Sequence, residues 1–183
     1  MTVIPGDFEQ GFAKLVQEHF ARAVRYCSRM LGDIGEGEEV AQAAFVKLLE
    51  KRRNLDETRE SLPYLYRVLR NACVDHLRAR KRALTDDGLD QMAWLGKDLS
   101  QAEGSEISNA MLEAISTLED GQREVVLLRF YEGLELTEVA QATGQSMGAV
   151  AMKLSRAKMK LKERLGRLPV FADLADTSGG ESR

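Results

Sequence analysis

The chain has 183 residues, 44% apolar and 30% charged, which suits one ordinary globular domain or two small ones and excludes a disordered polyelectrolyte. A net charge of −3 excludes a uniformly basic nucleic-acid binder, so any such role must rest on local charge. No run of about 18 apolar residues is present, and the opening MTVIPGDFEQ lacks the basic-then-apolar order of a signal peptide, so a cytosolic protein is expected.

Proline stands only at positions 5, 63 and 169, and the long proline-free stretches between them favour an all-α fold. Phe8, Phe12, Leu15, Val16, Ala23, Cys27 and Met30 recur at steps of three and four, predicting an amphipathic helix that ends near Leu31 with Gly32 as its C-cap. GDIGEGEE follows. It lacks GK[ST] and a preceding strand, so a turn is expected and not a phosphate loop. Residues 38–51 then predict a helix with Val40, Ala41, Ala44, Phe45 and Leu48 inward and Glu38, Glu39 and Gln42 outward. KRRNLDETRES, at 51–61, is charged and aperiodic and reads as a loop.

Pro63 suits the first turn of the next helix, whose stripe is Leu65, Leu69, Ala72, Cys73, His76 and Leu77. Cys27 and Cys73 belong to no CxxC or Cys/His cluster and read as buried thiols, so no metal is expected. His76 has no second ligand at metal spacing and reads as a packed or edge histidine. Residues 84–108 show little periodicity and read as a linker, with a short helical piece expected at 89–95. Trp94 within it must pack on a domain or meet a partner.

A second domain is expected from about Ile107, its first helix carrying Ile107, Met111, Ala114, Ile115 and Leu118. Asp120 is the expected N-cap of the next helix, where Val125, Val126, Leu128 and Phe130 supply apolar surface. Thr137 is expected to cap a short helix at 138–142, Gly144 to make the turn, and Ser146 to cap a long helix with the stripe Val150, Leu154, Ala157, Leu161, Leu165 and Leu168. The tail after Pro169 is small and polar.

Charge is segregated along this frame. Residues 67–82 hold six Lys/Arg against one acid, a local +5, and residues 150–167 hold seven against one, a local +6. Between them, residues 84–110 hold six acids and one lysine. Two basic helices across an acidic linker point to DNA contact at two separate places, because phosphate contacts are local. The bland alternative for either stretch alone is a solvated helix face.

The second basic helix has helix-turn-helix grammar: Ala140 where two helices cross, Gly144 at the turn and Val150 rooting the second helix. Such a helix presents its N-terminal residues to base edges in the major groove, here Gln145, Ser146, Gly148, Ala149, Met152 and Lys153. Arg156, Lys158 and Lys160 are placed for phosphates.

The segment ISTLEDGQREVVLLRFYEGLELTEVAQATGQSMGAVAMKLSRAKMKLKERL resembles the C-terminal domain of bacterial sigma factors of the extracytoplasmic function (ECF) type. GDIGEGEEVAQAAFVKLLE followed by LPYLYRVLRNACVDHLRARKR resembles the N-terminal domain of the same family. The resemblance implies two small helical domains joined by an acidic linker. A region 2-like domain would span 1–83, the linker 84–106 and a region 4-like domain 107–168, while the small, polar composition of 169–183 reads as a disordered tail. It also implies binding to core RNA polymerase and to promoter DNA. Glu38, Glu39, Gln42 and Phe45 would dock on the polymerase. Asn71, Asp75 and Arg78, with Arg67, Arg70 and Arg80, would serve the −10 element, and the 51–61 loop would capture a flipped base. Arg123, Thr137, Ser146, Gly148, Ala149, Lys153 and Arg156 would serve the −35 element. No cofactor is implied. In many members an anti-sigma protein, often membrane-bound, is a further partner.

The chain departs from the family at Leu49 and Tyr64, where Trp is frequent, and at Glu119, where Pro is frequent. It also departs at Gln145, Ala151 and Met152, in or beside the recognition surface. A stand-alone helix-turn-helix regulator is the alternative reading. It would need a sensory or dimerising N-terminal domain, and the alternating strand-helix pattern of a receiver is missing from this sequence. For an enzyme there is no His/Asp/Ser set and no phosphate loop.

Overall fold

The structure, a computed structural model, describes residues 5–50, 61–86 and 106–166. The described residues form helices and turns. In chain order they are α1 (Pro5–Leu31), α2 (Ile34–Glu50), α3 (Ser61–Asp86), α4 (Glu106–Ser116), α5 (Asp120–Val126), α6 (Leu136–Thr143) and α7 (Met147–Leu165). The 51–60 part of the expected loop, the 89–95 piece with Trp94, Leu168 and the 169–183 tail lie outside the described residues.

α1 ends as expected at Gly32, whose φ of 80° is left-handed. GDIGEGEE is not a turn beyond that point: α2 begins at Ile34. The Asp33 carboxylate accepts the Glu36 backbone N–H at 2.7 Å, satisfying one of the orphan donors that start a helix. Gly37 is helical because α1 crosses there. A β-carbon at Gly37 would lie 2.5 Å from the Ser28 backbone, so the two helices approach too closely for any side chain. The sequence shows the glycine but not the crossing it permits.

α1, α2 and the inner stripe of α3 enclose one end of the core. Phe45 lies edge-on to Phe20 and Phe12, at centroid distances of 5.5 and 6.4 Å, and Tyr26 lies edge-on to Tyr66 at 5.4 Å. Cys27 and Cys73 are buried free thiols, as expected. His76 is an edge residue whose Nε2 lies 3.2 Å from Glu36 Oε2.

In the C-terminal half the caps differ from expectation. Glu119, not Asp120, is the N-cap of α5, and Asp120 is in the first helical turn. Glu135, not Thr137, is the N-cap of α6, because the Glu138 carboxylate reaches back to the Glu135 backbone N–H at 2.6 Å and starts the helix before Thr137. Of the apolar residues of this segment, Val125, Val126 and Leu128 are buried and Phe130 is 54% exposed. Leu127–Tyr131 form a π-helical turn, with Glu132 N–H donating to the Leu127 carbonyl at 3.0 Å. The wider turn shifts the register so that Phe130 rotates out. Ser146 caps α7 as expected, its Oγ accepting from Ala149 N–H at 3.2 Å.

The apolar core is continuous across both halves. α6 lies against α3, and Leu69, Leu127, Leu128 and Val139 belong to the same buried cluster. α3 is therefore covered on two sides, by α1 and α2 and by the helix-turn-helix half.

Candidate nucleic-acid and polymerase interface

α3 carries Arg67, Asn71, Asp75, Arg78 and Arg82 at steps of four, four, three and four, and all five are exposed. The spacing places them on one outward face. Arg78 Nη1 lies 3.6 Å from Asp75 Oδ1. Asp75, Arg78, Lys81 and Arg82 line an open recess of about 600 Å³.

Two other arginines of α3 are engaged within the protein. Arg80 Nη1 donates to Glu36 Oε2 at 2.9 Å and reaches the Leu31 carbonyl at 3.4 Å, tying α3 to the α1–α2 corner. Arg70 Nε donates to Glu124 Oε1 at 2.6 Å, a bond from α3 to α5 across the two halves.

On α2, Glu38, Glu39 and Gln42 are exposed, with Gln42 Nε2 donating to Glu38 Oε1 at 3.3 Å. Phe45 is placed otherwise: it is 5% exposed and belongs to the core. The same outer face continues through Val46 and Leu49, 53% and 44% exposed. Sequence reasoning missed both, although they follow Glu39 and Gln42 at helical spacing.

In the helix-turn-helix, Gly144 has φ 67° and Gln145 N–H donates to the Ala140 carbonyl at 3.1 Å, while Val150 is buried. Thr137, Ser146, Gly148 and Arg156 are exposed and Ala149 is half-exposed. Arg123 is internal. Its guanidinium donates to the carbonyls of Ser116 and Leu118 at 2.9 and 3.0 Å, satisfying the end of α4. Burial lowers its pKa from the ordinary arginine value. Lys153 is half-buried and lies across Gly121, where a β-carbon would come within 3.1 Å of its Nζ.

Arg70, Arg78, Lys81, Asp120, Glu124 and Lys153 surround a cavity of about 260 Å³ between the halves. Nearby, Tyr66 donates to the buried Glu132 carboxylate. Arg22 Nε lies 3.3 Å from the same carboxylate, and its Nη2 donates to the Glu132 carbonyl at 2.8 Å. Burial and the adjacent Glu132 charge push the Tyr66 hydroxyl far above its usual range. Burial raises the Glu124 carboxyl, opposed by the Arg70 charge. The Arg29 guanidinium covers the Tyr131 ring at 4.3 Å. These pairs join residues 54 to 110 positions apart, so no local pattern could announce them.

Comparison with known proteins follows the same division. Residues 15–83 match the Sigma-70 region 2 family and residues 108–161 match Sigma-70, region 4. The chain is 26% identical over 168 residues to the ECF RNA polymerase sigma factor SigW of Bacillus subtilis, covering 86% of this chain and 90% of that one. It is 30% identical over 151 residues to the ECF RNA polymerase sigma factor SigD of Mycobacterium bovis, covering 78% and 71%. In fold it is similar to the sigma factor RpoE bound to the anti-sigma factor NepR from Bartonella quintana, with a TM-score of 0.71 and 21% identity over 85% of this chain and 97% of that one. It is also similar to CnrH bound to the cytosolic domain of CnrY, with a TM-score of 0.60 and 23% identity over 93% and 91%.

Proposed function

This chain belongs to the ECF family of RNA polymerase sigma factors, and on that premise we propose how its surfaces divide the work of promoter recognition. The protein is a promoter-recognising sigma factor. The stand-alone regulator is not favoured, because the regions 2 and 4 of a sigma factor follow one another along the chain. In this reading the polymerase supplies the chemistry and this chain supplies the specificity, in the cytosol, where both meet DNA. Among the described residues no helix is long and apolar enough to cross a membrane.

The observation that carries the division is the exposed stripe of α3. Arg67, Asn71, Asp75, Arg78 and Arg82 mix cations with hydrogen-bonding groups on one face, which suits phosphates and the edges of unpaired bases at the −10 element. The outer face of α2, with Glu38, Glu39, Gln42, Val46 and Leu49, docks on core polymerase: apolar side chains ringed by polar ones are the usual make-up of an interface. Thr137, Ser146, Gly148, Ala149 and Arg156 serve the −35 element. Arg80 and Arg123 support the fold that presents these faces.

Arg70 and Lys153 meet at the contact between the halves. They reach DNA once the halves separate, and polymerase then holds two weak readers at a fixed spacing, making the second contact effectively intramolecular. An anti-sigma partner would act by favouring the closed arrangement.

The test is reconstitution with purified bacterial core polymerase, read by co-elution and by run-off transcription from a promoter pool. Stoichiometric co-elution with promoter-specific transcripts is expected. No co-elution, together with tight and steeply salt-dependent binding to duplex DNA alone, would overturn the reading in favour of a stand-alone regulator.

A further inference from the structure

The exposed face of α7 has an unusual order. A helix advances about 100° per residue, so positions four, seven and eleven after Gly148 return to its face. Those positions are Met152, Ser155 and Met159. Gly148 has open space where a side chain would be, and Met152 and Met159 are 55% and 63% exposed. Beside this neutral seam run two basic rims, Lys158 and Lys162 on one side, Arg156 and Lys160 on the other. Lys160 Nζ also bonds Glu119 Oε1 at 2.7 Å. A helix seated in a major groove has base edges before its centre line and phosphates along its flanks, and this face is charged accordingly.

The first two turns leave little for hydrogen-bonded base reading. Residues 147–153 hold no Arg, Asn or Gln. Ser146 Oγ accepts the Ala149 N–H, and Lys153 lies across Gly121. What α7 presents there is Met147, 50% exposed, the bare Gly148, Ala151 and Met152. Among base edges in the major groove, the group that an apolar side chain recognises is the 5-methyl of thymine. Methionine is long and conformationally soft enough to cover one.

We propose that this chain reads its −35 element through thymine 5-methyl groups packed on Met152, with Met147 as a second apolar contact, and not through bidentate hydrogen bonds to bases. The proposal rests on the sigma-factor reading and adds the chemistry by which that reading is carried out. Specificity then comes from methyl burial and from DNA shape felt by the basic rims. Burying one methyl is worth roughly a four-fold change in affinity, so selectivity at each position is shallow and the polymerase contact is needed to make it useful.

The experiment uses the full chain with core polymerase. A promoter pool randomised upstream is selected for binding, and each thymine of the selected −35 element is replaced by uracil, which lacks the methyl group alone. The expected result is about a four-fold loss at one or more thymines, a loss that vanishes in Met152→Ala and persists in Met152→Leu. Uracil tolerated at every position, a selected element without thymine, or a uracil penalty unchanged in Met152→Ala would overturn the proposal. Failure of the wild-type chain to carry polymerase to any selected sequence would overturn the sigma-factor reading itself, which is a distinguishable outcome.

Discussion

The two basic helices carry similar charge and use it differently. α3 places two arginines inside the protein, Arg70 on Glu124 and Arg80 on Glu36, and keeps a mixed polar stripe outside. α7 turns Lys153 onto Gly121 and keeps Arg156, Lys158, Lys160 and Lys162 at the rims of a neutral seam. The contrast teaches that the number of cations on a helix does not mark its nucleic-acid surface. What marks it is which cations lie exposed on an outward face, since Arg78, Arg82 and Lys160 are exposed and still have partners within the fold. A polar stripe suits an opened strand, whose bases expose their pairing edges, whereas a neutral seam between basic rims suits an intact groove.

The sharpest way to break this division is on α2. Phe45→Asp puts a carboxylate into the cluster formed with Phe12 and Phe20, so a loss of stability above about 4 kcal/mol and an unfolded N-terminal half are expected in chemical denaturation. Val46→Asp changes an exposed neighbour and should leave the stability within about 0.5 kcal/mol while abolishing co-elution with core polymerase. If Val46→Asp still binds polymerase as the wild type does, the α2 face is not the docking surface.

The next effect tests the buried polar contact that Glu132 makes with Tyr66 and Arg22 across the halves. Glu132→Ala leaves the Tyr66 hydroxyl without its buried acceptor and Arg22 with only the backbone carbonyl of residue 132, a loss of about 2 kcal/mol. If the halves are held by these bonds, the radius of gyration from small-angle scattering rises while helix content stays constant. An unchanged radius would mean that the apolar contact of α3 with α6 holds the halves together by itself.

Helix positions, the all-α class and the helix-turn-helix were legible from periodicity, Gly144 and Ser146, because those signals are local. α2 was read short because Gly35 and Gly37 look like turn residues until α1 is seen crossing at Ser28. The exposure of Phe130 has no sequence signal, because a 3.6-residue period cannot anticipate the π-turn. Among candidate site residues, Asn71, Asp75, Arg78, Glu38, Glu39 and Gln42 lie exposed where the pattern put them. Phe45 is interior, as its place in the inward stripe predicts, whereas Arg123 is interior with no signal in the sequence, since an arginine bonded to helix-end carbonyls reads like one facing phosphate.

The comparison of the two helices also predicts separable defects. Asn71→Ala and Asp75→Ala alter the exposed α3 stripe without touching the core, so polymerase binding should persist while promoter opening slows about ten-fold, roughly 1.4 kcal/mol in the barrier. Permanganate footprinting of the melted strand checks this. Loss of polymerase binding in both variants would remove α3 from its assigned role.

The smallest effect is the pH dependence of the joined halves, where two groups act with opposite sign. Burial and the Arg22 charge lower His19 below its ordinary 6.5, so the native state resists protonating it, and stability falls as pH drops from 6.5 through the lowered value. Glu124, raised by burial above the ordinary 4.5, favours its proton in the native state, so its contribution grows as pH falls through the window just above 4.5. Arg70 and Lys153 face it and temper the shift, while the Asp120 charge adds to it. Urea midpoints should therefore dip below pH 6.5 and level off nearer 4.5. His19→Gln should remove the dip and Glu124→Gln the levelling. A profile unchanged in both variants would place the titrating groups elsewhere and leave the α3–α5 contact without a share in the acid response.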